Sequence, residues 1–350
     1  MYIVFAVVGL ILVAATALPL VRTEKWWIRS LDFPRLQIAV LLAIVLAGFL
    51  FVYDQAGIFD NILFVALIIS LGYQAYQILP YTQLCAPQAV KARSSDTSRT
   101  IRLLIANVLM DNRQADLFIA LVEEHQPDIV LAVETNAWWD QHLSTLERAY
   151  PLALKCPLEN TYGMHLLSKL ELGSPEVRFL LEDGVPSIRT AVRLRSGDWI
   201  MFYGIHPRPP EPQQDTEQRD AEILLVSKEV AAAQKPALIA GDLNDVAWSH
   251  TTRLFQRISG TLDPRVGRGM FPTFHANYAL LRWPLDHVFH TKEFALRELR
   301  RLDYFGSDHF PVLVELSFEP EAASRQSAPA AKHGDQAEAA EKTQEGKATG

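Results

Sequence analysis

The chain has 350 residues, with 33 Lys and Arg against 40 Asp and Glu, for a net charge of -7. That balance argues against a nonspecific nucleic-acid coat protein, which needs a basic surface to neutralise phosphates, but not against an enzyme that meets nucleic acid at a metal site. Cys85 and Cys156 are too few and too far apart for a disulfide framework or a thiolate zinc site.

Apolar residues crowd the first eighty positions. The run 2–20 is uncharged and long enough to cross a bilayer as a helix; lacking a basic n-region and followed by more apolar spans, it reads as a retained anchor. Residues 22–35 then supply Arg22, Lys25, Arg29 and Arg35, with Trp26 and Trp27 suited to the headgroup zone. A second span covers 36–53, a tight loop without Lys or Arg covers 54–60, and a third span runs from about 61 to 79, before Lys91, Arg93 and Arg99. With both basic segments on the cytoplasmic side, the N-terminus lies outside, the chain crosses three times, and the remainder is cytoplasmic. Residues 1–83 are therefore expected to be a three-helix anchor of an integral inner- or plasma-membrane protein.

Residues 84–100, with Pro87 and a run of Ser, Asp and Thr, read as a linker. After it the pattern alternates: strand 101–106, a helix from about 113 to 125 with Leu117, Leu121 and Val122 on one face, and strand 128–133, a β-α-β unit. Further strands are expected at 164–167, at 188–194 and 199–205 as a hairpin turning at Ser196-Gly197-Asp198, at 237–240, and at 311–316; a helix spans about 214–233. Many strands with few long helices predict a layered α/β sandwich over 101–318. Residues 319–350, rich in Ala, Glu, Lys and Gln without aromatic residues, read as a disordered tail.

The chemistry gathers at strand ends. The run 237–240 stops at Gly241 and delivers Asp242 and Asn244, two residues apart and so on one side of an extended chain. Asn107 and Glu134 close the first two soluble strands, His206 closes 199–205, Asp286-His287 opens a short apolar run, and Asp308-His309 precedes 311–316. Carboxylate and amide oxygens suit a hard cation such as Mg²⁺ or Mn²⁺ better than zinc, and a histidine with an acidic partner can act as general base or stabilise phosphate charge.

Taken in order, Asn107 in IANVL, Glu134 in LAVET, His206 in YGIHP, Asp242 and Asn244 in AGDLND, Asp286 in PLDHVF and Asp308-His309 in GSDHFPV resemble the endonuclease/exonuclease/phosphatase superfamily. The resemblance implies a four-layered, deoxyribonuclease-like α/β sandwich that cleaves phosphoesters with Mg²⁺. It implies that Glu134 binds the metal with Asn107 and Asp308 as direct or water-mediated ligands. Asp242 would align or deprotonate the attacking water and Asn244 would hold that water or the phosphate. His309, oriented by Asp286, and His206 would contact the scissile phosphate from two sides. Leu109 stands where some nucleases of the family carry an acid, and His165 where a small or amide residue is usual.

Other readings compete at single positions. Asp245 reads as a cap, and His165 and His287 as structural; Trp138 and Trp139 either line a groove or pack a corner, and Arg208 either touches phosphate or is a loop residue. The expected function is a membrane-anchored phosphodiesterase acting on nucleic acid or a phospholipid headgroup. A catalytically inactive membrane scaffold is the alternative, and retention of Glu134 and Asp242 argues against it. The spans carry essentially no internal charge of the kind that marks an ion pathway.

Overall fold

Three apolar helices open the chain because their segments have no polar face to set against water. In the computed structural model, which describes residues 2–52, 57–212 and 214–349, they are α1 (Tyr2–Ala17), α3 (Arg35–Val52) and α4 (Ile58–Ile78), with a one-turn helix α2 (Trp26–Arg29) before the second. Ala6, Leu12, Leu42, Phe49, Leu63 and Leu67 pack between them, while Ile3, Ile11, Ile44, Phe51 and Ile62 stay on the outside. Tyr2–Leu20 and Ile58–Tyr81 are each long and apolar enough to cross a membrane; Arg35–Phe51 qualifies only together with Trp26–Asp32, from which it is bent by 71°. Tyr53 and residues 54–56 of the expected loop lie outside the described residues.

The basic segment 22–35 differs from a free headgroup-facing loop. Arg29 and Arg35 are buried and both pair with Asp32, and Arg35 also donates to Gln74 Oε1 at 3.1 Å. Trp248 Nε1 donates to the Asp32 carbonyl at 2.7 Å and Trp26 N to Asp215 Oδ1 at 2.9 Å. Burial of these charges is tolerated because each has a partner, and the result is an elbow docked on the rest of the chain.

That remainder contains β1 (Thr100–Asn107), β2 (Ile129–Val133), β3 (Leu152–Cys156), β4 (Met164–Ser168), β5 (Leu172–Phe179), β6 (Pro186–Arg193), β7 (Trp199–Gly204), β8 (Ala237–Asp242), β9 (Asp286–His290), β10 (Phe294–Arg301) and β11 (Val312–Phe318). They form two sheets, ordered β10-β11-β1-β2-β4-β3 and β5-β6-β7-β8-β9. Each sheet has one parallel pair, β1 with β2 and β7 with β8. Parallel neighbours need a crossover, supplied by α5 (Ala115–His125) and α7 (Glu217–Ala233). Central strands are apolar on both faces because both faces are covered. Leu103, Ile105, Leu131, Phe202, Leu238 and Val288 meet between the sheets.

The outer face of the first sheet packs Leu104, Ala106 and Val130 against Phe118 of α5 and Trp139 of α6 (Ala137–Leu143). The outer face of the second packs Tyr203 and Ile239 against Ile223 of α7 and Phe255 of α8 (His250–Ser259). Helix, sheet, sheet and helix make the four layers expected. Helix α8, not expected from the sequence, sets Leu254, Phe255 and Ile258 on a core side shared with Thr251, Thr252, Gln256 and Ser259; Ser249 caps it by accepting from Thr252 N at 3.0 Å.

Both segments read as unstructured are held. In the expected linker, Ala92 N donates to Leu296 O at 2.9 Å, and Arg93 N and Ser94 N each donate to Glu319 Oε1 at 3.0 Å. The tail expected to be disordered instead forms α9 (Asp335–Thr349). Its Asp335 takes two bonds from Arg257 at 2.7 and 3.0 Å, and Ala339 is buried against Leu224 and Leu254. Its buried face is Asp335, Ala339, Thr343 and Gly346, with no large apolar side chain, so composition alone carries no sign of the contact.

Candidate active site

The topology brings the strand ends together. C-terminal ends of a parallel pair point the same way, so β1 and β2 deliver Asn107 and Glu134 at one edge, and β7 and β8 deliver His206 and Asp242 at the facing edge. Antiparallel neighbours begin where these strands end: β9 starts at Asp286, in register with Asp242, and β11 follows Asp308-His309. All eight residues singled out in the sequence lie at this one end of the two sheets.

Local backbone turns the side chains inward. Gly241 has φ +145°, and a Cβ there would come within 1.9 Å of the Ile205 carbonyl oxygen, so only glycine lets β8 pass the end of β7. Glu134 and Asn244 adopt left-handed φ values of +62° and +49°, a conformation uncommon outside glycine and tolerated where surroundings over-determine it. Around Glu134 that support includes Thr135 N donating to Gly163 O at 3.0 Å, and Gly163 has no room for a Cβ.

His309 Nδ1 lies 2.8 Å from Asp286 Oδ2, and its Nε2 lies 3.6 Å from Asp242 Oδ2. Burial by itself lowers an imidazole, but Asp286 and Asp242 outweigh it and push His309 up to about 10, so it is an imidazolium at neutral pH. Burial and the Asp286 charge push Asp242 up to about 7 against the pull of His309. His206 Nε2 is 3.9 Å from the same Asp242 oxygen, yet burial and the His309 charge take it down to about 3, so this ring is neutral and its Nδ1 has no partner.

Glu134 is held above its ordinary range by burial, with Asp308 adding repulsion, and Asp308 Oδ1 is buried without a hydrogen-bond partner. Two carboxylates, one with an orphaned oxygen and one raised by burial and its neighbour's charge, fit a hard cation. The ligand atoms of Asp242, Asp286 and His309 also lie within 4.8 Å of one another and could hold a metal. There, however, the imidazolium already neutralises the carboxylates. Glu134 and Asp308 line the same cleft as His309.

Two expected contacts take a different form. Asn107 donates through Nδ2 to Glu134 Oε1 at 2.6 Å and to Asp242 Oδ2 at 3.1 Å, while its oxygen accepts from Leu109 N at 3.0 Å. Its amide oxygen is thus turned away from Glu134, and Asn107 orients carboxylates instead of presenting a direct ligand. Asn244 Nδ2 donates to Pro207 O at 3.0 Å, which ties it to the loop after His206.

Other positions fall as structural. Asp245 accepts from Val246 N and Thr252 Oγ1 near the start of α8, His165 sits between Thr135 and Asp140, and His287 between Arg265 and the Asp245 carbonyl. Trp139 is buried and Trp138 stacks on His142 at 3.8 Å, a packed corner. Arg208 pairs with Glu182 at 2.6 Å. Two further residues support the site: Ser307 donates to the Asn107 carbonyl at 2.7 Å and accepts from His309 N at 3.0 Å, and buried Arg265 donates to the Asp286 carbonyl at 3.3 Å. Ser307, two residues before His309, could have been found from its place in GSDHFPV.

Residues 104–309 match the model of the Endonuclease/Exonuclease/phosphatase family. The chain belongs to that family. As a member of it, the chain is a metal-dependent phosphoric ester hydrolase. Solved structures with the same fold include humanized D. rerio TDP2 (14% identity, TM-score 0.52, 63% of this chain and 99% of that one) and the human Nocturnin catalytic domain with bound sulfate (16%, 0.53, 63% and 94%). An endonuclease/exonuclease/phosphatase from Beutenbergia cavernae is 18% identical, with TM-score 0.52, covering 63% of this chain and 72% of that one. No curated protein matches the chain by sequence.

Proposed function

We propose that this family member is a membrane-anchored phosphodiesterase that uses Mg²⁺ or Mn²⁺ to hydrolyse a diester in nucleic acid or a phospholipid headgroup. The observation that carries the reading is that the Asp286–His309–Asp242 chain closes on the same cleft, of about 550 Å³, as Glu134 and Asp308. Bound at Glu134 and Asp308, the cation would act as a Lewis acid on the phosphoryl oxygens. His309, kept charged by Asp286, donates from Nε2 to a non-bridging oxygen. Asp242, with a pKa near neutrality, orients the attacking water and accepts its proton. Asn107 holds Asp242 and Glu134 apart in fixed orientations, and neutral His206 supplies a further polar contact without added charge.

Anchoring is supported by the outer faces of α1, α3 and α4, whose exposed Ile and Phe side chains are costly in water and cost nothing in hydrocarbon. Arg and Lys flanking the helices favour a cytoplasmic catalytic domain. The test is the full-length protein in lipid nanodiscs with Mg²⁺, Mn²⁺ or chelator, offered plasmid DNA, RNA, phospholipids, sphingomyelin and soluble phosphomonoesters. Metal-dependent cleavage of a diester, lost in Glu134→Ala and His309→Ala, supports the reading; cleavage of monoesters alone refutes the diesterase assignment.

A further inference from the structure

The walls of the catalytic cleft do not all come from the catalytic domain. Phe33 and Pro34, at the 71° elbow leading into α3, line it together with Phe274, Leu281, Trp283 and Leu285. The rings form a continuous series: Phe33 meets Trp283 edge-on at 5.8 Å, Trp283 stacks with Phe274 at 5.9 Å, and Phe274 lies 5.0 Å from His309. An apolar path thus runs from the start of an apolar helix to the catalytic imidazolium. Trp283, which lines the cleft, has its Nε1 buried on this path without a partner, a spare donor for a polar group of the ligand.

The mouth of the cleft points to the same chemistry. The loop carrying Tyr278, Leu280 and Leu281 leans on α3, where Gln37 Nε2 donates to the Leu280 carbonyl at 2.8 Å. Leu280 is 83% exposed and Tyr278 59%, an apolar tip beside the first turn of a span. Such a tip is costly in water and suited to the headgroup boundary. No described Lys or Arg lines the cleft. A polyanionic strand needs cations along its backbone, whereas a single phosphoester on an apolar chain needs one metal site and apolar walls.

We propose that the cleft takes a bilayer-resident lipid phosphoester, whose chain enters along the elbow before α3 and is selected by Phe33, Leu281 and Trp283. The inference rests on the phosphoesterase and anchoring readings, and names their substrate class. It is tested without turnover, by calorimetry of the full chain in nanodiscs with Mg²⁺, using dodecylphosphonate and methylphosphonate as probes. Each buried methylene strengthens binding several-fold, so the long probe is expected to bind at least about tenfold tighter than the short one, after subtraction of protein-free discs. That ratio should collapse in Phe33→Ser and Leu281→Ser, recover in large part in the apolar Phe33→Leu, and persist in Leu84→Ser, an exposed leucine outside the cleft. An unchanged ratio in both serine variants, or equal binding of the two probes by the native chain, overturns the proposal. A chain-length preference in a protein that cleaves no phosphoester would instead refute the phosphodiesterase assignment and leave the lipid cleft standing.

Discussion

Asp286 Oδ2 sits 2.8 Å from His309 Nδ1, a contact that orients the imidazole facing Asp242 and, together with Asp242, keeps it charged. If Asp242 acts deprotonated, above about 7, and His309 protonated, below about 10, the rate should peak between those limits. Asp286→Asn keeps the shape but removes the charge. The expected loss in kcat is about 10²–10⁴-fold, and the alkaline limb should move down toward the ordinary histidine range near ~6.5. A pH–rate profile of the two proteins checks it; an unmoved alkaline limb would assign that limb to another group.

The linked effect on stability has the opposite sign from a depressed carboxylate. His309 titrates higher in the folded chain than unfolded, so its contribution is complete below about pH 6.5 and fades as pH rises through about 10. Urea midpoints measured from pH 6 upward should therefore fall more steeply in the native protein than in Asp286→Asn.

Glu134 and Asp308 on one side, and Asp242, Asp286 and His309 on the other, make different predictions for metal binding. If the first pair holds the ion, Glu134→Ala abolishes the stabilisation by Mn²⁺, which at a hundredfold excess over Kd amounts to about 2.7 kcal/mol, and Asp286→Asn keeps it. Thermal melts with and without Mn²⁺ separate the cases, since the reverse pattern would place the ion at the histidine.

The sequence made this site legible because each of its residues ends or begins an apolar strand, and strand ends of a parallel pair must meet. Asn107, Glu134, His206 and Asp242 were therefore readable before any contact was known. Which way the Asn107 amide turns was not, since that depends on the Leu109 N–H folding back to its oxygen. Phe33 was equally hidden: its partner Trp283 lies far away in sequence, and an elbow residue between apolar runs looks like any interfacial aromatic. Buried arginines such as Arg219 and Arg265 carry no periodic signal at all.

Arg219 shows what such a residue holds. It is buried, donates to Asp220 Oδ1 at 2.8 Å and to the Asn244 carbonyl at 2.9 Å, and lies 3.8 Å from Asp245. Arg219→Ala leaves Asp220 to Lys342 and Thr251 and Asp245 to Thr252 and the Val246 N–H, so the loss of its own bonds should cost about 1–3 kcal/mol in a denaturant titration. Loss of the bond to Asn244 should also lower activity in whatever fraction stays folded.

The helix at the C-terminus can be dislodged at one point. A Cβ on Gly346 would come within 2.3 Å of the Ala221 Cβ and 2.9 Å of the Glu217 carbonyl oxygen, so α9 approaches α7 closely only because this residue is glycine. Gly346→Leu cannot be accommodated by a rotamer change, because both obstacles sit on or next to the backbone. The substitution should lift the last turns of α9 and weaken the contacts of Lys342 with Glu24 and Asp220 and of Lys228 with Thr343. Limited proteolysis is the direct readout: residues 335–349 should resist cleavage in the native chain and be removed early in Gly346→Leu. Equal and rapid removal from both proteins would show that the helix does not dock in solution.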